Sequence, residues 1–329
     1  MQPLPTIPIL FNQVRIHASK DDLDVIEQIA AVEASLKNLG YLPHRLMIQP
    51  TSDHWIDSLH HLQPPFIFNL VESEFGKGQE YHLIPSVLES HLFKYTGNSA
   101  EVLRITTNKV LTKEKLIAIG VPTPPWMTTQ DYVHWSPHPL YIVKPIYEDA
   151  SIGIHQDSIV GGESCISLRE CIEKRNASTN MEFFAEKYIS GREIGISMLG
   201  DSGNPVVLPA GEIRFLGYRD QGKFELLDYN AKWDEGSYEF QHSISAFEFD
   251  HKDQGLLHQL AELSIRCWKA FGLKGYARLD YRIDENGNPW LLEINANPCI
   301  SPRESGFIAA AEQAGFSYTE VIRRIIAEA

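Results

Sequence analysis

Apolar residues recur along this chain in blocks of changing period, and the changes mark its elements. Residues 6–16 read as a first strand, and residues 19–40 as a helix carrying Leu23, Ile26, Ile29, Ala30, Val32, Leu36 and Leu39, closed by Gly40. Residues 42–48 form a strand again, so the chain opens as βαβ. A buried strand over 66–71, a loop over 72–78 and a helix over 80–92 complete a small α/β unit. Ser99 opens and Gly120 closes one predicted helix carrying Lys109 and Lys113, and Val121-Pro122-Thr123-Pro124-Pro125 cannot continue it. Residues 140–143 are a short buried strand delivering Lys144-Pro145 to the small-residue loop 148–153. Strands over 183–189 and 192–199 meet at Ser190-Gly191, and residues 205–215 continue the sheet. Residues 216–249 show no period and predict a long functional loop, followed by an amphipathic helix over 253–271 and terminal helices over 305–314 and 318–327.

Between those helices lies Gly275 to Pro298, GYARLDYRIDENGNPWLLEINANP, which reads as a β-hairpin about Asp284-Glu285-Asn286-Gly287-Asn288. A two-residue turn at Asn286-Gly287 pairs Asp280 with Glu293 and Arg278 with Asn295. Alternation then sends Leu279, Tyr281, Leu292 and Ile294 into a core and Arg278, Asp280, Glu293 and Asn295 to the opposite face. Directly opposed carboxylates about 5 Å apart repel by roughly 3 kcal/mol at an effective dielectric near 20. Two carboxylates and an amide oxygen form a hard ligand set suited to Mg²⁺ or Mn²⁺, and Mg²⁺ commonly accompanies phosphates. The plainer alternative is a solvated polar face. An Arg, two acids and an Asn sharing that face favour the metal. Lys144, at a strand end before a flexible loop, either holds a phosphate beneath a lid or guards a sheet edge. The loop Ser73-Glu74-Phe75-Gly76-Lys77-Gly78 matches neither G-x-G-x-x-G nor G-x-x-x-x-G-K-[ST].

Composition narrows the partners. The 329 residues are 43% hydrophobic and 22% charged, ordinary for a folded chain of two or three lobes. With 29 basic and 43 acidic residues the net charge is −14, which argues against nucleic acid, so an anionic ligand needs a local cluster of Lys and Arg. Cys165, Cys171, Cys267 and Cys299 lack C-x-x-C spacing and read as free thiols in a reducing compartment. No apolar run approaches about 18 residues and the start lacks a basic leader, so no membrane partner and a cytoplasmic location are expected.

From Tyr95 onward the chain resembles the ATP-grasp carboxylate–amine ligases of the D-alanine–D-alanine ligase type. The matching stretches are YTGNSAEVLRITTNKVLTKEKLIAIGVPTPP, YIVKP, FAEKYISGREIGISML, AKW, the hairpin above and EQAGFSY. The resemblance implies an α/β (α+β) fold of three lobes, with an N-terminal domain over 1–105 and ATP clasped between a central lobe over 106–190 and a C-terminal lobe over 191–329. It implies that Lys109 and Lys144 bind phosphate beneath the 148–153 lid. Glu186, Lys187, Tyr188 and Ile189 fall on the adenine-contacting hinge, Glu193 on the ribose position, and Lys232 on the omega-loop lysine that reaches the γ-phosphate. Asp280, Glu293 and Asn295 fall on the ligands of two Mg²⁺ ions, or Mn²⁺. Arg278 would stabilise the oxyanion, Ser151 is a lid serine, and Ser305 would hold the amine substrate's carboxylate. A homodimer through the N-terminal lobe is also implied.

The departures cluster at the substrate end. The glycine-rich N-terminal segment whose Glu anchors the first D-alanine has no counterpart in PILFNQVRIHASK. Ala150 replaces the lid serine that works with that Glu, and Trp233 replaces the omega-loop tyrosine. Cys299 replaces the glycine whose N–H helps form the oxyanion hole, and a one-residue insertion nearby brings Arg303 into Ser301-Pro302-Arg303-Glu304-Ser305, either as a new carboxylate clamp or as a surface Arg paired with an acid. The expected activity is amide formation between small amino-acid-like substrates through an acyl phosphate, with an altered substrate site such as a natural-product pathway would use. The alternatives are a true D-alanine–D-alanine ligase and a non-catalytic ATP-binding regulator.

Overall fold

A computed structural model of the chain describes residues 4–13, 20–48, 54–71, 78–200, 203–303 and 305–329. The expected strand end over 14–16, the Ser19 helix start, the side chain of Leu23 and the loop residues 72–77 lie outside the described residues. β1 (Thr6–Asn12), α1 (Lys20–Asn38), β2 (Leu42–Ile48), α2 (His54–Leu62) and β3 (Phe68–Asn69) build a parallel sheet of order β2-β1-β3. The third strand is shorter than the 66–71 expected, although Ile67 still bridges to Tyr95. α3 (Leu83–Ser90) leads to α4 (Ala100–Thr107) and α5 (Lys109–Ala118).

The single helix expected over 99–119 is therefore two. Ser99 caps α4 as anticipated, but Asn108 leaves the helical region at φ −83°, ψ 100°, and its side chain accepts from Val110 N and Leu111 N. Asn is better satisfied capping a new helix than continuing an old one. The break puts Lys109 at the first position of α5, where its N–H reaches Ile146 O at 3.1 Å.

A four-stranded antiparallel sheet follows, ordered β4-β7-β5-β6, from β4 (Trp126–Met127), β5 (His138–Pro145), β6 (Ile159–Gly162) and β7 (Phe183–Lys187). α6 (Cys165–Ser178) covers it with Leu168 and Ile172. β5 runs beyond 140–143, so Lys144 is a strand residue paired with Phe184.

The third sheet runs β11-β10-β8-β12-β13, with β9 on β8. It comprises β8 (Arg192–Gly200), β9 (Pro205–Val207), β10 (Gly211–Phe215), β11 (Ser243–Ala246), β12 (Gly275–Ile283) and β13 (Pro289–Asn295). The stretch read as a periodless loop holds α7 (Tyr229–Trp233) and α8 (Tyr238–His242), capped by Asp228 and Ser237, besides β11. Five-residue helices are too short to show a period. α9 (Gln254–Phe271) packs Leu260, Cys267, Trp268 and Phe271 on one face of the sheet. α10 (Gly306–Gln313) and α11 (Tyr318–Ala327) pack on the other, where Phe307, Val321, Ile322 and Ile325 share a core with Ile7, Ile9, Val32 and Leu36. Each such buried side chain contributes roughly 1.5–3 kcal/mol.

The hairpin register departs from expectation twice. The turn spans Asp284 to Asn288, with Asp284 Oδ1 accepting from Asn286 N and Asn288 N, both at 2.9 Å, so Ile283 pairs with Pro289 and Tyr281 with Leu291. A bulge between Asp280 and Tyr281 then restores Asp280 opposite Glu293 and Arg278 opposite Asn295. The core residue is therefore Leu291, fully buried, in place of Leu292.

Candidate active site

Strand alternation carries Arg278, Asp280 and Arg282 of β12 to one face, where β13 sets Glu293 and Asn295 beside them. Arg278 grips Asp280 with both arms, Nε to Oδ1 and Nη2 to Oδ2, each at 2.9 Å. Lys109 Nζ stands 3.6 Å from Glu293 Oε2 and 3.2 Å from Asp149 Oδ1, and donates to Glu148 O at 2.7 Å. Burial works against ionised Glu293, yet Lys109, Lys144, Lys232 and Arg278 outweigh it and hold its pKa at about 2. Burial pulls the Lys232 ammonium down, reinforced by Arg278 and opposed by Glu293 and Asp280. Burial also pushes the Asp149 carboxyl up, against the pull of Lys109. The result is a concentration of positive charge around one carboxylate in an otherwise acidic protein.

No cage of three or more His, Cys, Asp or Glu gathers among the described residues. The hard-ion set is instead two carboxylates in register plus Asn295, whose Oδ1 accepts from Asn297 N at 3.0 Å. All its donors are oxygen, so the chemistry fits Mg²⁺ or Mn²⁺.

Over this face lies the 148–153 loop, with Ala150 and Ser151 at φ +54° and +61°. Left-handed backbone at two successive non-glycine residues is costly and needs outside support. Trp233 Nε1 donates to Ala150 O at 3.0 Å, and Ser151 Oγ donates to Leu227 O at 2.6 Å. The loop is thus sewn to the 216–233 segment. The hydroxyl of Ser151, expected among the reacting groups, is occupied by this seam.

The hinge residues are likewise tied. Both oxygens of Glu186 carry a lysine, Oε1 with Lys144 at 2.5 Å and Oε2 with Lys113 at 2.6 Å. Burial opposes its charge, but the two lysines keep its pKa below the usual carboxylate range. Lys187 N donates to Pro125 O at 2.8 Å and Tyr188 N to Leu140 O at 3.1 Å. Ile189 O accepts from Arg282 Nε, and Glu193 Oε2 pairs with Arg282 Nη1, both at 3.0 Å. Burial pushes Glu193 up despite that arginine. The sequence reading leaves Arg282 unmentioned and places Lys113 on its helix without a role. Two-residue spacing from Asp280 and one helical turn from Lys109 were the signals for them.

At the far end, α1 reaches the loop after β13. Cys299 Sγ lies 2.9 Å from Asp24 Oδ2, which also accepts from Gln28 Nε2 at 3.0 Å, while Ile300 N donates to Gln28 Oε1 at 3.2 Å. Ser305, expected to hold a substrate carboxylate, caps α10, accepting from Ile308 N and donating to Cys299 O. Arg303 is exposed and pairs with Glu27 at 3.1 Å, the plainer of its two readings.

The family model described as D-ala D-ala ligase C-terminus matches residues 120–327. The D-alanine–D-alanine ligase of Synechococcus sp. (strain JA-2-3B'a(2-13)) is 30% identical over 262 residues, spanning 77% of this chain and 73% of that one. An uncharacterized protein of Sinorhizobium fredii, y4sG, is 28% identical over 338 residues, 99% of this chain and 90% of its own length. Among solved structures, Bacillus anthracis D-alanine–D-alanine ligase complexed with ATP matches with a TM-score of 0.73 at 21% identity, covering 98% of this chain and 97% of that chain. At that identity the likeness to the solved structure is one of fold.

Proposed function

The chain belongs to the D-alanine–D-alanine ligase family of ATP-grasp enzymes, and from that premise we propose that it joins a small amino-acid carboxylate to an amine through a substrate site rebuilt relative to the family's. The enzyme class is an ATP-dependent, ADP-forming amide ligase. The carboxylate substrate attacks the γ-phosphate of ATP to give an acyl phosphate and ADP. The amine then displaces phosphate and forms the amide. The single observation that carries the reading is Glu293, opposite Asp280 in register and surrounded by Lys109, Lys144, Lys232 and Arg278.

In this reading Lys109, Lys144 and Lys232 neutralise the phosphates, and Glu186 to Ile189 with Glu193 flank the nucleoside. Arg278, held straight by Asp280, faces the oxyanion of the tetrahedral intermediate. Asp280, Glu293 and Asn295 hold the divalent metal, as two ions, which when bound neutralises charge on the transferring phosphoryl group. The seam from Trp233 and Ser151 to the lid and the 227 carbonyl shields the acyl phosphate from water. Rebuilding of the substrate end is supported by the indole now bonded to the lid and by Asp24 placed against Cys299. Self-association through the N-terminal lobe belongs to the same reading and is measured by sedimentation.

The test is phosphate release with Mg²⁺ and ATP across D- and L-amino acids, singly and in pairs, with product masses recorded. Turnover by other substrates with none on D-alanine is the expected result. A D-alanine dipeptide as the preferred product would overturn the rebuilt site and leave a true D-alanine–D-alanine ligase. No turnover over the whole panel and over amino-acid-containing cell extracts would overturn the ligase assignment.

A further inference from the structure

Lys113 is fully buried, four residues beyond Lys109 on α5, and takes no part in the chemistry above. Its ammonium lies 2.6 Å from Glu186 Oε2 and donates to Thr123 Oγ1 at 2.8 Å. Thr123 in turn donates to Leu291 O of β13 at 2.8 Å, and the Trp126 ring lies 5.6 Å from the ammonium. Across the same carboxylate, Lys144 holds Oε1 at 2.5 Å. Two buried lysines thus share one buried acid, one cation in excess.

We propose that Lys113 is a positioning residue, the permanent counter-charge of Glu186 that frees Lys144 to leave that carboxylate for a phosphate of the incoming nucleotide. The inference rests on the nucleotide-binding reading of Lys144 given above. A buried carboxylate cannot be stripped of its only cation without a large penalty, because nothing else solvates its charge. With Lys113 in place, Lys144 can swing from Glu186 to the phosphate and every charge stays matched. With Lys113 gone, Lys144 becomes the sole partner of Glu186 and is withheld from the ligand. The Thr123 bridge fixes Lys113 to the strand that bears Glu293, so the exchange occurs at constant geometry.

The charged groups acting on Lys113 are Glu186 on β7, Lys144 on β5 and Glu293 on β13. Burial pulls its pKa down to about 8, with Lys144 adding to the fall and Glu186 opposing it. Raising the pH through that value discharges Lys113 and withholds Lys144, so nucleotide affinity falls as pH rises. An arginine at 113 stays charged and removes this component.

Calorimetric titration of the full chain with Mg²⁺ and ATP tests the exchange. Lys113→Met weakens nucleotide binding about 10-fold or more, whereas in a Glu186→Gln background the same change alters it by less than about threefold. Lys113→Arg binds as the parent near neutral pH and loses the added weakening above about pH 8. Equal weakening by Lys113→Met in both backgrounds, or an undiminished alkaline fall in Lys113→Arg, overturns the proposal. Unchanged binding by folded Lys113→Met overturns it while leaving the function reading intact. A parent chain that binds no nucleotide overturns both.

Discussion

At the scale of single residues, charge decides the site. Glu293 keeps its proton off because four cations converge on it, so replacing it with Gln removes the charge that those cations share and that, in the proposed reading, would also hold the metal. Glu293→Gln is expected to lower kcat/KM for ATP-dependent turnover by about 100-fold or more, read by phosphate release, and an unchanged rate would detach the hairpin from the chemistry. Which residues were legible follows from what held them. Asp280, Glu293 and Arg278 could be read from strand alternation alone, since period two fixes a face without further information. Ser151 and Ser305 could not, because their partners, Leu227 O and Cys299 O, are backbone carbonyls delivered by loops that carry no sequence signal for their paths. Lys113 was visible as a helix residue, but its role needed the position of Glu186 on a strand 73 residues later in the chain.

Among elements, breaks set where the candidate site residues stand. The turn between α4 and α5 exists because the Asn108 side chain outcompetes the helix for Val110 N and Leu111 N. Asn108→Ala is expected to cost about 1 kcal/mol of stability in thermal or urea unfolding and to weaken nucleotide binding as well, since the same cap aims Lys109. A loss of stability with binding intact would show that Lys109 is aimed by its partners alone. From sequence this region read as one helix, because Asn is tolerated in a helix and the apolar period runs through it. The β12–β13 hairpin failed differently. Its turn is longer than Asn286-Gly287 suggested, but the extra residue in β13 compensates before the site is reached. Functional register thus survived an incorrect turn, with Leu291 taking the core place assigned to Leu292.

Across the whole molecule, one apolar core joins the first and last parts of the chain. Ile7, Val32 and Leu36 pack with Phe307, Val321 and Ile325, whereas the β4–β7 sheet keeps its own cluster about Tyr141, Leu168 and Phe183. Phe307→Ala is expected to cost about 3–5 kcal/mol and to lower hydrogen-exchange protection in β1 and β12 together, sparing β5. Protection lost in β12 alone would mean that the two ends of the chain open separately. The joining of the termini was not legible, because hydrophobic periodicity names a buried face without naming what it faces. The seam between the lid and the 216–233 segment has a practical consequence. Trp233 is one of six tryptophans, and its indole N–H is tied to the lid carbonyl of Ala150, so the enzyme carries its own optical gauge of lid position. Nucleotide addition should shift the emission spectrum by a component that Trp233→Phe abolishes, and an identical shift in that variant would assign the signal to another indole and leave the seam closed throughout turnover.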